Sequence, residues 1–155
     1  MLPPPCQLNL RDPAVLDALL TLQHAAYQAE ARLIGSHNIP PLTQSRDDLA
    51  ADGLHYLGLQ SGGSLLAAIA ISDSPEEVDI HKLMVDPPAH RRGLGRALLA
   101  AVLDRAGPSR RVIVQTAAAN QPAIALYESR GFRIVRCWNA PDGLPLVGLS
   151  RAATA

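Results

Sequence analysis

Leu83-Met84-Val85-Asp86-Pro87-Pro88-Ala89-His90-Arg91-Arg92-Gly93-Leu94-Gly95-Arg96 joins a strand to a helix across a basic, glycine-containing loop. An apolar run stops at paired prolines, which lack an amide donor and cannot continue a central strand. A helical pattern then opens at Gly93, with Leu94, Leu98, Ala101 and Val102 on one face up to Ala106. The order is strand, loop, helix. The first turn of a helix carries unpaired N–H groups and a partial positive charge. Glycines at 93 and 95 keep side chains away from those groups, and Arg91, Arg92 and Arg96 add charge-assisted donors. This is the chemistry of a phosphate grip.

Outward from this point, the pattern alternates between periods. Toward the N-terminus, Glu77–Val85 reads as a strand, and His55–Gln60 and Ser64–Ser72 read as a hairpin across Ser61-Gly62-Gly63. Asp12 caps a helix with Pro13 in its first position and an apolar stripe of Val15, Leu19, Leu22 and Ala26, ending near Gly35. Gln7–Leu10 is a short strand, Ile39-Pro40-Pro41-Leu42 an extended loop, and Thr43 or Ser45 the cap of a short helix through Ala50. Toward the C-terminus, Arg111–Thr116 is a strand, Asn120 caps a helix that runs to Gly131, and Phe132–Cys137 and Leu146–Leu149 are the last strands. The expected class is α/β (α+β), one mixed and mostly antiparallel sheet of six to seven strands with four helices on its two faces. The 155 residues are expected to form a single domain, 1–155.

Composition narrows the function. An apolar fraction of 48% and a charged fraction of 18% suit a folded chain. No run approaches the roughly 20 apolar residues of a membrane helix, so no membrane partner is expected. Met1-Leu2-Pro3-Pro4-Pro5 lacks the basic and apolar regions of a signal peptide. Cys6 and Cys137 sit in no metal-ligand spacing, so no metal is expected, and they read as free thiols of a cytoplasmic protein. One Trp, one Phe and three Tyr give no support for nucleic-acid binding. Charge is uneven: residues 1–80 carry −7, 81–111 carry +5 and 112–155 carry +2. The basic middle suits an anionic ligand, and the acidic first half suits a cationic one.

Asn120-Gln121-Pro122-Ala123-Ile124-Ala125-Leu126-Tyr127-Glu128-Ser129-Arg130-Gly131-Phe132 is the second informative stretch. Asn120 and Tyr127 lie two helical turns apart on one face. With Val85-Asp86-Pro87 and Gly93-x-Gly95, this chain resembles the GNAT superfamily of N-acetyltransferases, whose signatures are Arg/Gln-x-x-Gly-x-Gly/Ala and Asn-x-x-Ala-x-x-x-Tyr-x-x-x-Gly-Phe. One departure stands out: His90 occupies the Arg/Gln position. The resemblance implies acetyl-coenzyme A as co-substrate and a primary amine as acceptor, on a small molecule or a peptide. The cofactor-binding residues it implies are Leu83, Met84, Val85, His90, Arg91, Arg92, Gly93, Leu94, Gly95, Arg96, Asn120, Ala123 and Tyr127. Tyr127 is the implied acid for the leaving thiolate. A thiol titrates near about 8.5 and a phenol near about 10, so that transfer is not steeply uphill. Asp79 is the first candidate base and Glu77 the second, with His81 on the same strand face. Tyr27, Glu30, Ile39 and His81 are candidates for the acceptor side. Neither cysteine has an evident base partner, which favours direct attack in a ternary complex over an acyl-enzyme. The competing reading is a non-catalytic acyl-CoA sensor or neutralising module on the same fold. A dinucleotide oxidoreductase lacks its third glycine, since Leu98 stands there. A homodimer through an edge strand near the C-terminus is a further expectation.

Overall fold

The computed structural model describes residues 2–154; Met1, at the head of the proline-rich start, and Ala155 lie outside the described residues. Seven strands form one sheet: β1 (Cys6–Gln7), β2 (His55–Ser61), β3 (Ser64–Asp73), β4 (Glu77–Val85), β5 (Arg111–Ala117), β6 (Arg133–Asn139) and β7 (Pro145–Arg151). Their spatial order is β1-β2-β3-β4-β5-β7-β6. Only β4 and β5 pair in parallel; every other neighbouring pair is antiparallel. Four helices complete the fold: α1 (Pro13–Ile34), α2 (Arg46–Ala51), α3 (Leu94–Ala106) and α4 (Gln121–Glu128). This is the mixed, mostly antiparallel architecture expected from the sequence.

Local chemistry sets the boundaries. The Asp12 carboxylate accepts from the Ala14 amide at the start of α1, and Gly35 closes that helix in the left-handed conformation. Ser45 and Asp48 form a reciprocal capping box on α2. Three expectations need correction. The first strand is Cys6–Gln7, because Leu8 drops into the core while its amide bonds Tyr56. Pro40–Leu42 is a short 3-10 turn, since prolines are tolerated in the first positions of a helical turn. α4 ends at Glu128, before the positive-φ Gly131.

Two apolar clusters cover the sheet. One joins α3 to β3, β5, β7 and the Tyr127 region of α4. The other joins α1 and α2 to Tyr56, Ala68, Ala70 and Met84. The buried face of α1 is Leu16, Leu19, Leu22, Gln23, Tyr27 and Ala31, rotated from the stripe read in the sequence. Gln23 looks like a polar break but is fully buried.

β4 changes allegiance partway along. Ile71 faces Ile80 but Ala70 faces Lys82, so His81 is the extra residue of a bulge. Before it, Val78 and Ile80 belong to the α3 cluster; after it, Lys82 and Met84 face the α1 side. The parallel pairing with β5 stops at Ile80↔Val114, just where the bulge begins. From there β4 and β5 part, and the cleft between them is the only break in the sheet's middle among the described residues.

Leu19 is fully buried at the centre of α1. Leu19→Ala is expected to cost about 2–5 kcal/mol through cavity formation, read as a lower midpoint in chemical denaturation.

Candidate active site

Three neighbouring cavities with shared lining residues follow the parted strands. The inner one, about 200 Å³, is lined by Tyr27, Glu30, Ile39, Leu83, Asn120 and Tyr127 among others. A donor-side cavity of about 430 Å³ shares Glu30, Leu83, Asn120 and Ala123 with it and continues to Val85, His90 and Gly95. An outer cavity of about 530 Å³ shares Ile80, His81, Lys82, Gln115 and Thr116 with it and continues to Asp79, Gln44 and Asp52.

The donor side begins where α3 begins. Gly93 occupies the N-cap at φ 77°, with no side chain capping the first turn. Arg91, just before it, also has positive φ, at 66°. Only glycine adopts such a conformation without strain, so the loop holds one residue off its preferred backbone. The outcome is a helix N-terminus whose first amides are open. A Cβ on Gly95 would lie 3.5 Å from Leu126, so a larger group there intrudes on the donor-side cavity. Arg91, Arg92 and Arg96 are exposed around this turn. Leu94 anchors it in the core at 1% exposure. His90, the departure from the signature, lies with Nε2 3.2 Å from the Val85 carbonyl, so its ring fastens the loop to the end of β4. The Met84 side chain is fully buried on the α1 side, which leaves only its backbone to face the cleft.

α4 brings Asn120 and Tyr127 to the inner cavity. Asn120 Oδ1 accepts from the Ala123 amide as an N-cap, and its Nδ2 donates to Glu30 Oε1 at 2.8 Å. Tyr127 is buried and packs its ring on Phe132 at 5.4 Å between centroids. Burial, and then the charge of Glu30, holds the Tyr127 phenol well above its ordinary range. The same two effects, with Tyr127 added, raise Tyr27. Glu30 is itself raised by burial, against the lowering effect of the Asn120 hydrogen bond.

The residues named from β4 separate. Asp79 lines only the outer cavity, 3.6 Å from His81 Nε2, and is raised chiefly by burial. His81 Nε2 also meets the Ser72 hydroxyl at 2.8 Å. Glu77 pairs with Arg111 and lines none of the three cavities.

Lys82 escaped the sequence reading. It is 7% exposed, and its ammonium donates to Gln23 Oε1 at 2.9 Å, Gln44 Oε1 at 2.8 Å and the Tyr56 hydroxyl at 3.1 Å. Tyr56 passes its own proton to Asp52 at 2.6 Å, and Asp52 lies 4.0 Å from the ammonium. Gln23 Nε2 donates to the Pro41 carbonyl and to Gln44. This network ties α1, the proline turn and β2 to the cavity wall. Burial lowers the Lys82 pKa while Asp52 opposes the shift. The signal was a lysine directly ahead of the apolar run Leu83-Met84-Val85, together with a glutamine within the buried face of α1.

The open helix N-terminus, the parted parallel strands and the Asn–Tyr helix define an acyltransferase-type cleft. The profile of the Acetyltransferase (GNAT) family matches residues 16–132, and the chain belongs to that family. It is 38% identical over 115 residues to the N-alpha-acetyltransferase RimI of Mycobacterium tuberculosis, covering 70% of each chain. It is 32% identical over 139 residues to the UPF0157 protein YqkA of Bacillus subtilis, where it covers 90% of this chain but spans only 40% of that relative's length. The crystal structure of the ribosomal-protein-S18-alanine N-acetyltransferase from Escherichia coli superposes with a TM-score of 0.76 at 23% identity, over 97% of this chain and 94% of that one.

Gln23→Leu removes an acceptor from Lys82 and orphans the Pro41 carbonyl. Unpaired buried groups cost about 1–3 kcal/mol each, so the melting temperature is expected to fall by several degrees in calorimetry.

Proposed function

We infer that this chain transfers an acetyl group from acetyl-coenzyme A to a primary amine, by direct attack within a ternary complex. The observation that carries this reading is the single line of cavities from the α3 N-terminus, past Tyr127, to the acidic outer opening. The paia N-acetyltransferase from Thermoplasma acidophilum, alike in fold with a TM-score of 0.68 at 13% identity, is described in complex with coenzyme A.

The residues divide the work. The open amides of α3 at Leu94, Gly95 and Arg96 receive the pyrophosphate, with Arg91, Arg92 and Arg96 supplying charge. The free edge of β4 at Leu83–Val85 offers backbone groups to the amides of the pantetheine arm, as a strand edge accepts a peptide. Asn120 and Ala123 flank that arm. Tyr127 is the acid that returns a proton to the sulfur. The raised phenol is protonated at neutral pH, so the proton is in place, while its burial makes it a weaker acid than a free phenol and leaves the transfer to be driven by the thiolate formed beside it. Asp79, His81, Tyr27 and Ile39 line the path of the acceptor, and the carboxylate of Asp79 attracts an incoming ammonium. The relatives named for ribosomal protein alanine and for N-alpha acetylation make a peptide N-terminus the first acceptor to try.

Two measurements test this. Calorimetric titration of acetyl-CoA is expected to give micromolar binding to the wild type and none to Gly95→Glu, which sets a carboxylate in the donor-side cavity. Tyr127→Phe is expected to keep that affinity and lose about 10²- to 10⁴-fold in kcat on a peptide with a free N-terminal alanine. Binding without turnover of any amine points instead to an acyl-CoA sensor.

A further inference from the structure

The base that prepares the amine has to lie within hydrogen-bond reach of the nitrogen at the moment of attack. The sequence offered Asp79 and Glu77 as bases and Glu30 as a contact for the acceptor, and the geometry separates the three. Glu77 is held by Arg111 outside the cavities, and Asp79 reaches only the outer one. Glu30 alone shares the inner cavity with Tyr127. It also lines the donor-side cavity, so it stands at the boundary where donor and amine meet. Asn120 fixes its position through the 2.8 Å hydrogen bond to Oε1. Its second oxygen has no side-chain partner among the described residues.

We propose that the Glu30 carboxylate is the proton acceptor for the attacking amine, which makes Glu30 a catalytic residue; this rests on the acetyltransfer reading above. The acceptor arrives as an ammonium and gives one proton to Glu30. The neutral nitrogen then forms the C–N bond as the C–S bond breaks. Tyr127 protonates the departing sulfur and is reprotonated by the second proton leaving nitrogen. Glu30 releases its proton to water, so the products are the amide, free coenzyme A and one proton. The charges facing Glu30 favour this role: Tyr27 on its own helix and Tyr127 on α4 are protonated phenols, and His81, Lys82 and His90 lie farther along the shared walls. Burial lifts the carboxyl above its ordinary range, toward a better base.

The test compares Glu30→Gln with Asp79→Asn, using acetyl-CoA and a short peptide with a free N-terminal alanine. Glutamine keeps the oxygen that Asn120 donates to, so folding and acetyl-CoA affinity are expected to persist. Loss of acetyl-CoA binding by the wild type speaks against the acetyltransfer reading itself, not against this assignment. kcat/KM of the wild type is expected to rise with pH through the Glu30 titration, because only the carboxylate accepts a proton. Glu30→Gln is expected to lose about 10²-fold or more and that rising limb together; Asp79→Asn, which removes an attraction for the ammonium, is expected to raise KM for the peptide while the rising limb stays. An activity-independent readout is the carboxyl carbon resonance of each residue as coenzyme A alone is added. The Glu30 signal is expected to titrate above the ordinary carboxylate range and to move on binding, with Asp79 unmoved. A Glu30→Gln enzyme near wild-type rate, or a response of Asp79 in place of Glu30, overturns the proposal.

Discussion

Everything at the site depends on where two parallel strands stop pairing. Backbone N–H and C=O groups are obligatory hydrogen-bonding partners, so a strand edge opened in the middle of a sheet is a demand for a partner. β4 and β5 meet their hydrogen bonds from Glu77 to Ile80 and abandon them afterwards. The bulge at His81 coincides with that point and turns the following residues over. Strict alternation would have kept Lys82 on the side of Val78 and Ile80, against α3. The bulge instead sends its ammonium to the α1 side, where Gln23, Gln44 and Tyr56 receive it. One extra residue thus opens the cleft, frees an edge and orients the polar hub that braces the wall.

The charges around this opening are handled by two different means. At the donor end, positive potential comes from a helix terminus and exposed arginines, a surface arrangement that costs little and is screened by salt. At the inner end, Glu30, Tyr27 and Tyr127 are buried together; desolvation raises all three, and the charge of Glu30 raises both phenols further. Buried titratable groups gathered in one cavity are where proton transfer is cheapest to arrange. Lys82 is buried as well, but its three donors are engaged, which fits a structural brace.

The residues of the candidate donor half could be named from the sequence because their chemistry is local. Gly93, Gly95 and the flanking arginines lie within a few residues of one another, and Asn120 and Tyr127 share one face of one helix. Element order was readable for the same reason: caps such as Asp12, Ser45 and Asn120 act within a turn of their own residue. The acceptor half was not, because it is assembled across the chain. The Glu30–Asn120 bond joins residues 90 positions apart, and the Lys82–Gln23 bond joins residues 59 apart. Period-2 alternation placed Glu77, Asp79 and His81 on one face; Asp79 and His81 do meet there, at 3.6 Å, but Glu77 is drawn away by Arg111, and the bulge, invisible in composition, put Lys82 on the α1 side. Gln23 went unread for a related reason: nothing near it in the chain marks a buried glutamine whose partner lies 59 residues away.

The free edge of β4 and the first turn of α3 are proposed to hold one ligand between them. Amide hydrogen exchange, with and without coenzyme A, reads this out. The amides of Leu83–Val85 and of Leu94–Arg96 are expected to slow together on binding, while those of β1 and β2 do not change. Binding that protects neither segment, or only the helix terminus, contradicts it.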